Sequence, residues 1–252
     1  MSSFLVAPIL EDAWNITKKS YWSWFPVLVV AVVIPGALFL ISAIFGAAAN
    51  NIYDDFGSTF TGLIATVFWI AALLATFYMT LGVIRNAYFV SGGEKPSMGR
   101  LFEYTNFWWY VLATMLYTGI VVIGLFFLII PGLIFGFMLT LYGYSLVSGQ
   151  TTNGLAALGV SWDRISHHFW GYIGYRIVLI GIPAALFVAF IMVLGVGGLG
   201  AASGSAALTA LVSIVALIGL FFAGIFAIAF TVIADGLAFR KLDPTVEKRA
   251  TE

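Results

Sequence analysis

Residues 109–148 read WYVLATMLYTGIVVIGLFFLIIPGLIFGFMLTLYGYSLVS, without one charged side chain. As a single helix this stretch would be ~60 Å long, twice the ~30 Å hydrocarbon core of a bilayer. Pro131 cannot donate the helical hydrogen bond, and Gly132 permits a reversal of the chain. The stretch therefore reads as two antiparallel spans, Trp109–Ile130 and Gly132–Ser148, joined by a tight hairpin at Pro131–Gly132. The same length criterion selects four more spans: Phe25–Phe45, Thr61–Ile84, Gly171–Leu194 and Ala206–Ala234.

Composition agrees with this reading. Of the 252 residues, 62% are hydrophobic and only 9% charged, against about 25% charged in a soluble domain. The chain cannot cover a water-soluble globule with so few charges, which excludes an ordinary soluble enzyme and a disordered protein. Eleven basic and eleven acidic residues cancel, so no net positive field exists to hold nucleic acid. The absence of cysteine excludes disulfides, thiolate metal sites and a thiol nucleophile.

The basic residues set the expected orientation. Lys18 and Lys19 precede the first span. Arg85, Lys95 and Arg100 lie between spans two and three. Arg164 lies between four and five, and Arg176 sits one to two turns into span five. Arg240, Lys241, Lys248 and Arg249 follow span six. Six spans leave all of them on one side, and the opposite loops have none. The positive-inside rule then predicts both termini in the cytoplasm. The N-terminus has no charged n-region, so the first apolar run is expected to stay as an uncleaved span.

A gapless shift of 148 residues aligns Trp14 with Trp162, Trp22 with Trp170 and Ile34-Pro35 with Ile182-Pro183. Eight positions are identical between 14–39 and 162–187. Ser20-Tyr21-Trp22, Asn106-Phe107-Trp108 and His168-Phe169-Trp170 each precede an odd-numbered span. These repeats predict one transmembrane domain over 1–252, built from three parallel hairpin units at 1–90, 91–148 and 149–242, with a flexible tail at 243–252. An amphipathic interfacial helix is expected before each hairpin. In the third unit Leu155, Leu158, Trp162, Ile165 and Phe169 form one apolar stripe with Asp163, Arg164 and His167 off it. In the first, Leu5, Ile9, Ala13, Trp14 and Tyr21 do the same. A shorter one is expected around Ser97–Asn106. Trp14, Lys18, Lys19, Trp22, Trp108, Trp162 and Trp170 are the expected anchors at headgroup depth. The fold class is thus all-α, a polytopic six-span bundle.

Leu125-Phe-Phe-Leu-Ile-Ile-Pro131-Gly132, the short span after it and the helix Leu155-Ala-Ala-Leu-Gly-Val-Ser161-Trp162 carry a resemblance. They are similar to a bacterial six-span integral membrane superfamily that includes the membrane domain of glycerophosphoryl diester phosphodiesterases. The resemblance implies an architecture, and most members have no assigned activity. The phosphodiesterase catalytic domain has no counterpart in this sequence.

Few residues suggest chemistry. His167 and His168 are adjacent, so on a helix they point about 100° apart and cannot chelate one ion together. Asp163 and His167 are at i, i+4 spacing, which suits a hydrogen bond or ion pair on a wet helix face. Arg176 and Asp235 lie inside apolar runs near the same ends of consecutive antiparallel spans. They form a candidate intramembrane ion pair, read first as a neutralising bridge and second as a gate. Gly132 and Gly136, and Gly219, Ala223 and Ala227, form small-residue stripes suited to close helix packing. No nucleotide loop, catalytic triad or zinc helix is present. No catalytic residue, cofactor or metal is therefore expected. The expected function is a non-enzymatic accessory, scaffold or assembly subunit of a membrane complex. Its partners would be membrane lipids and other membrane subunits. The alternative is a carrier or permease for a lipid or small apolar molecule.

Overall fold

The computed structural model describes residues 6–51, 55–202 and 206–243. Among these the chain is all-helical. The helices are α1 (Val6–Ala49), α2 (Asp55–Val90), α3 (Met98–Leu101), α4 (Phe107–Phe127), α5 (Ile129–Met138), α6 (Tyr142–Val147), α7 (Gly154–Ser166), α8 (Phe169–Ala202) and α9 (Ala206–Lys241). Six stretches are long and apolar enough to cross a membrane: α1, α2, α4, α5 with α6, α8 and α9. Large apolar side chains such as Leu40, Val67, Ile123 and Phe187 lie exposed. In water they would invite aggregation, whereas lipid tails solvate them. The chain is thus a multi-pass membrane protein.

The chain divides into two compact units, Trp22–Ser161 and a second made of Met1–Tyr21 with Trp162–Glu252. In the Trp22–Ser161 unit the core gathers Leu81 of α2, Tyr110 and Ala113 of α4, Tyr142 and Leu146 of α6, and Ala157 and Leu158 of α7. Tyr110 and Tyr142 stack with ring centroids 5.6 Å apart. The Tyr142 hydroxyl is 2.7 Å from Thr114 Oγ1, so its polar end is satisfied inside an apolar core. In the second unit Ile9 and Ala13 of α1, Tyr172, Tyr175 and Leu179 of α8, and Ile233, Ala234 and Phe239 of α9 are buried.

The structure departs from the sequence reading in four places. The hairpin between α4 and α5 turns at Leu128, not at Pro131–Gly132. Leu128 alone is extended (φ −152°, ψ 117°). Its N–H donates to Gly124 O at 2.9 Å, and its carbonyl accepts from Gly132 N at 3.2 Å. Pro131 falls in the first turn of α5, where a missing N–H costs nothing. Gly132 serves close approach instead. A Cβ there would sit 2.4 Å from Leu125 N and 2.7 Å from Leu125 Cα.

Second, the first interfacial helix and the first span are one continuous α1, although Pro26 and Pro35 lie inside it. Each proline removes one helical bond but does not end the helix. Third, the surface helix expected at Ser97–Asn106 shrinks to the single turn α3. The guanidinium of Arg85 takes the carbonyls beyond it, with Nη2 donating to Thr105 O at 2.8 Å and Nη1 to Glu103 O. Asn106 adopts the left-handed conformation (φ 63°), which Asn tolerates. Its Nδ2 donates to Leu146 O at 3.1 Å. Arg85 is therefore not a loop residue. It lies within α2, 3% exposed, and pins the α3–α4 linker.

Fourth, α7 does exist as a separate helix, but it buries a different face. Gly154, Ala157, Leu158, Ser161, Arg164 and Ile165 are buried, while Leu155 and Trp162 are exposed. The reason is a break in the fourth span between α5 and α6. Ser161 Oγ donates to Met138 O at 2.8 Å and accepts from Leu141 N at 3.0 Å, which repairs that break. Ser145 Oγ donates to Ala157 O at 3.2 Å. A Cβ on Gly154 would meet Trp109 O at 2.6 Å. Small and hydroxyl residues, not the larger apolar ones, let this helix approach.

Candidate functional site

The second unit holds the charged pair read from the sequence. Tyr172, Tyr175 and Arg176 stand at i, i+3 and i+4 on α8, so they share one face. That face meets Asp235 of α9. Arg176 Nη1 donates to Asp235 Oδ2 at 3.0 Å. Tyr175 Oη donates to Asp235 Oδ1 at 3.0 Å. Arg176 Nε donates to Tyr172 Oη at 3.0 Å. The side chains of Arg176 and Asp235 are 12% and 13% exposed. Each carboxylate oxygen has a donor, and the guanidinium is held on two sides. This is the geometry that makes a charge tolerable when it is buried between packed helices. The two tyrosines were not singled out from the sequence, although their spacing ahead of Arg176 was there to be read.

A further arginine closes the end of this unit. Arg164 Nη1 donates to Phe239 O at 2.6 Å and Nη2 to Asp243 Oδ2 at 2.8 Å. Its guanidinium carbon stacks 3.9 Å from the Phe239 ring centroid. Arg164 therefore serves as a clasp on the exit of α9, although it lies off the apolar stripe expected of its helix.

The first turns of α1 lie along α9. Tyr21 Oη donates to Phe222 O at 3.1 Å. Trp14 meets Phe226 edge-on at 4.9 Å and Phe230 at 6.1 Å. Lys241 Nζ pairs with Asp12 at 3.1 Å. Between these turns, α8 and α9 a laterally open groove of about 690 Å³ remains. Ile182, Ala185 and Leu186 form its α8 wall. Ala223, Phe226, Ala227 and Phe230 form its α9 wall, and Trp14 and Lys18 line it from α1. Lys18 Nζ lies 5.0 Å from the Trp14 ring centroid. A second depression of about 370 Å³ continues from Leu186 towards Phe190 and Leu217.

The remaining sequence candidates fall as follows. Trp22, Trp108 and Trp170 are largely exposed, at 75%, 71% and 81%. Lys19 is exposed too. A Cβ on Gly136 would meet the Val121 methyls at 3.9 Å, an ordinary contact distance. A Cβ on Gly219 would meet nothing within 4 Å, so the close approach expected along Gly219, Ala223 and Ala227 does not occur at its first member. Ala223 and Ala227 instead shape the groove. His167 Nδ1 is 2.7 Å from the Asp163 backbone carbonyl, not from its carboxylate. No group of three or more His, Cys, Asp or Glu side chains is placed to hold a metal among the described residues. No family model, no curated protein and no solved structure matches the chain.

Proposed function

We propose that this chain is a non-enzymatic integral membrane protein acting as an accessory, scaffold or assembly subunit of a larger membrane complex. One observation supports the reading above others. Most of the polar and charged side chains buried among the described residues hold helices or their linkers together, whereas Thr17 bonds back to Ala13 O of its own helix and Trp24 Nε1 is left without a partner. Arg85 secures a linker, Ser161 mends a helix break, Arg164 clasps a helix end, and Asp235 is neutralised in place. The groove walls are apolar apart from Lys18. Such a distribution suits a rigid body in lipid better than a reaction centre, which needs convergent polar groups.

Within this proposal the protein sits in a bacterial plasma membrane with both termini in the cytoplasm. Its three hairpins, α1/α2, α4/α5–α6 and α8/α9, are parallel copies of one unit. The resemblance to the six-span superfamily belongs to the same reading. Purification in a mild detergent tests the functional part. The expected result is a membrane protein retained in fixed stoichiometry, and recovery of the chain alone from native membranes contradicts it. A second reading, a carrier of lipids or small apolar molecules, is favoured by the groove on α8 and α9, which has the size of a ligand cleft of about 300–1,000 Å³.

A further inference from the structure

We infer that the groove between the first turns of α1, α8 and α9 is a binding site for one anionic phospholipid, with its phosphate at Lys18 and an acyl chain along the trough. The two depressions share Leu186 and so form one continuous path. Along α9 the path runs from Phe230 to Leu217. Thirteen residues of helix rise ~20 Å. One leaflet supplies about half of the ~30 Å hydrocarbon thickness, ~15 Å, so the trough is long enough to take a single lipid chain.

The ends of the path differ in chemistry. At one end stand Lys18 and Trp14, the pair expected at headgroup depth, where an indole and an ammonium on a long stem are both favoured. At the other end Phe190, Leu217 and Phe221 offer hydrocarbon surface only. None of the lining residues is acidic. The described carboxylates on α1 are Glu11 and Asp12, neither of which lines the groove, and Asp12 is paired with Lys241. The cation therefore selects an anionic head, and Ala185, Ala223 and Ala227 leave the width that a chain requires. A partner helix would need a broad face with several anchors, whereas this trough is narrow and charged at one end only.

Retention of phosphatidylglycerol is compared with that of phosphatidylcholine of identical acyl chains, by native mass spectrometry of the purified full chain. One lysine near a lipid surface contributes enough for a preference of about fivefold. The expected result is that preference in the unaltered protein and in Lys18→Arg, and its loss in Lys18→Gln. Ala185→Phe, an exposed position on the groove wall, should lower occupancy by both lipids. Equal retention of the two lipids, a preference that survives Lys18→Gln, or occupancy unchanged in Ala185→Phe would each overturn the inference. A protein cross-link from position 185 in membranes would overturn it as well. A partner retained or lost in mild detergent leaves this outcome untouched, so the two proposals fail separately.

Discussion

Replacing Asp235 with alanine destabilises the protein by about 3–5 kcal/mol, the range for breaking a buried ion pair from one side. The reason lies in what remains. Arg176 stays on α8, 12% exposed, without the oxygen 3.0 Å away that received its Nη1. A guanidinium cannot shed its proton to escape. Tyr175 loses the Asp235 oxygen it donates to at the same time, and the loss of a buried hydrogen bond adds its own cost. Exchanging both charges together, Arg176→Leu with Asp235→Leu, recovers most of the loss, because no uncompensated ion is left behind. Thermal unfolding in detergent, followed by the folded fraction, measures both variants. An arginine that reached the headgroups independently would make Asp235→Ala nearly silent. Equal losses in the single and double variants would mean that the two charges are not coupled.

Gly132→Ala should cost about 1–3 kcal/mol or somewhat more, as overpacking does where neither side can give. The added carbon would fall 2.4 Å from Leu125 N, and Gly124 directly opposite has its own Cβ position 2.8 Å from Gly132 Cα. Both contacts are with backbone, so no rotamer change relieves them. Gly82 is confined in the same way, 2.4 Å from Leu101 O. Gly219→Ala is the internal contrast. Nothing lies within 4 Å of its Cβ position, so the helix gains alanine's propensity, about 0.5–1 kcal/mol, without a clash. Parallel unfolding curves should therefore move in opposite directions. A similar loss in both variants would show that helix propensity, not helix approach, governs these positions.

The contrast between those two glycines shows where sequence reading succeeds and where it stops. Spacing of four marks both stripes equally, yet only packing reveals which one another backbone approaches. The spans themselves are legible because hydrophobic length is a local property, read residue by residue against bilayer thickness. The approach of Arg176 to Asp235 is legible because two rare charges sit at matching depths of consecutive antiparallel helices. Arg85, Arg164 and Ser161 are harder. Their partners are carbonyls at Thr105, Phe239 and Met138, and every residue type offers a carbonyl, so no pattern in the sequence points to them. The buried face of α7 misleads for a related reason. Hydrophobic periodicity assumes that the largest apolar side chains turn inward, but in lipid Leu155 and Trp162 can face out while glycine, alanine and serine make the contact. The groove is a product of what those small residues leave unfilled, and only Lys18 and Trp14 carried a signal.

The central claim is a chain that crosses the membrane six times with its lysines and arginines on the cytoplasmic side. The chain has no cysteine of its own, so single cysteines can be placed at Asn51, after α1, and at Lys95 and Gln150, after α2 and α6. All three positions are exposed. Labelling of intact cells with a membrane-impermeant thiol reagent should modify the cysteine at 51 and spare those at 95 and 150 until the cells are opened. Modification at 95 or 150 in intact cells, with 51 protected, contradicts the claim.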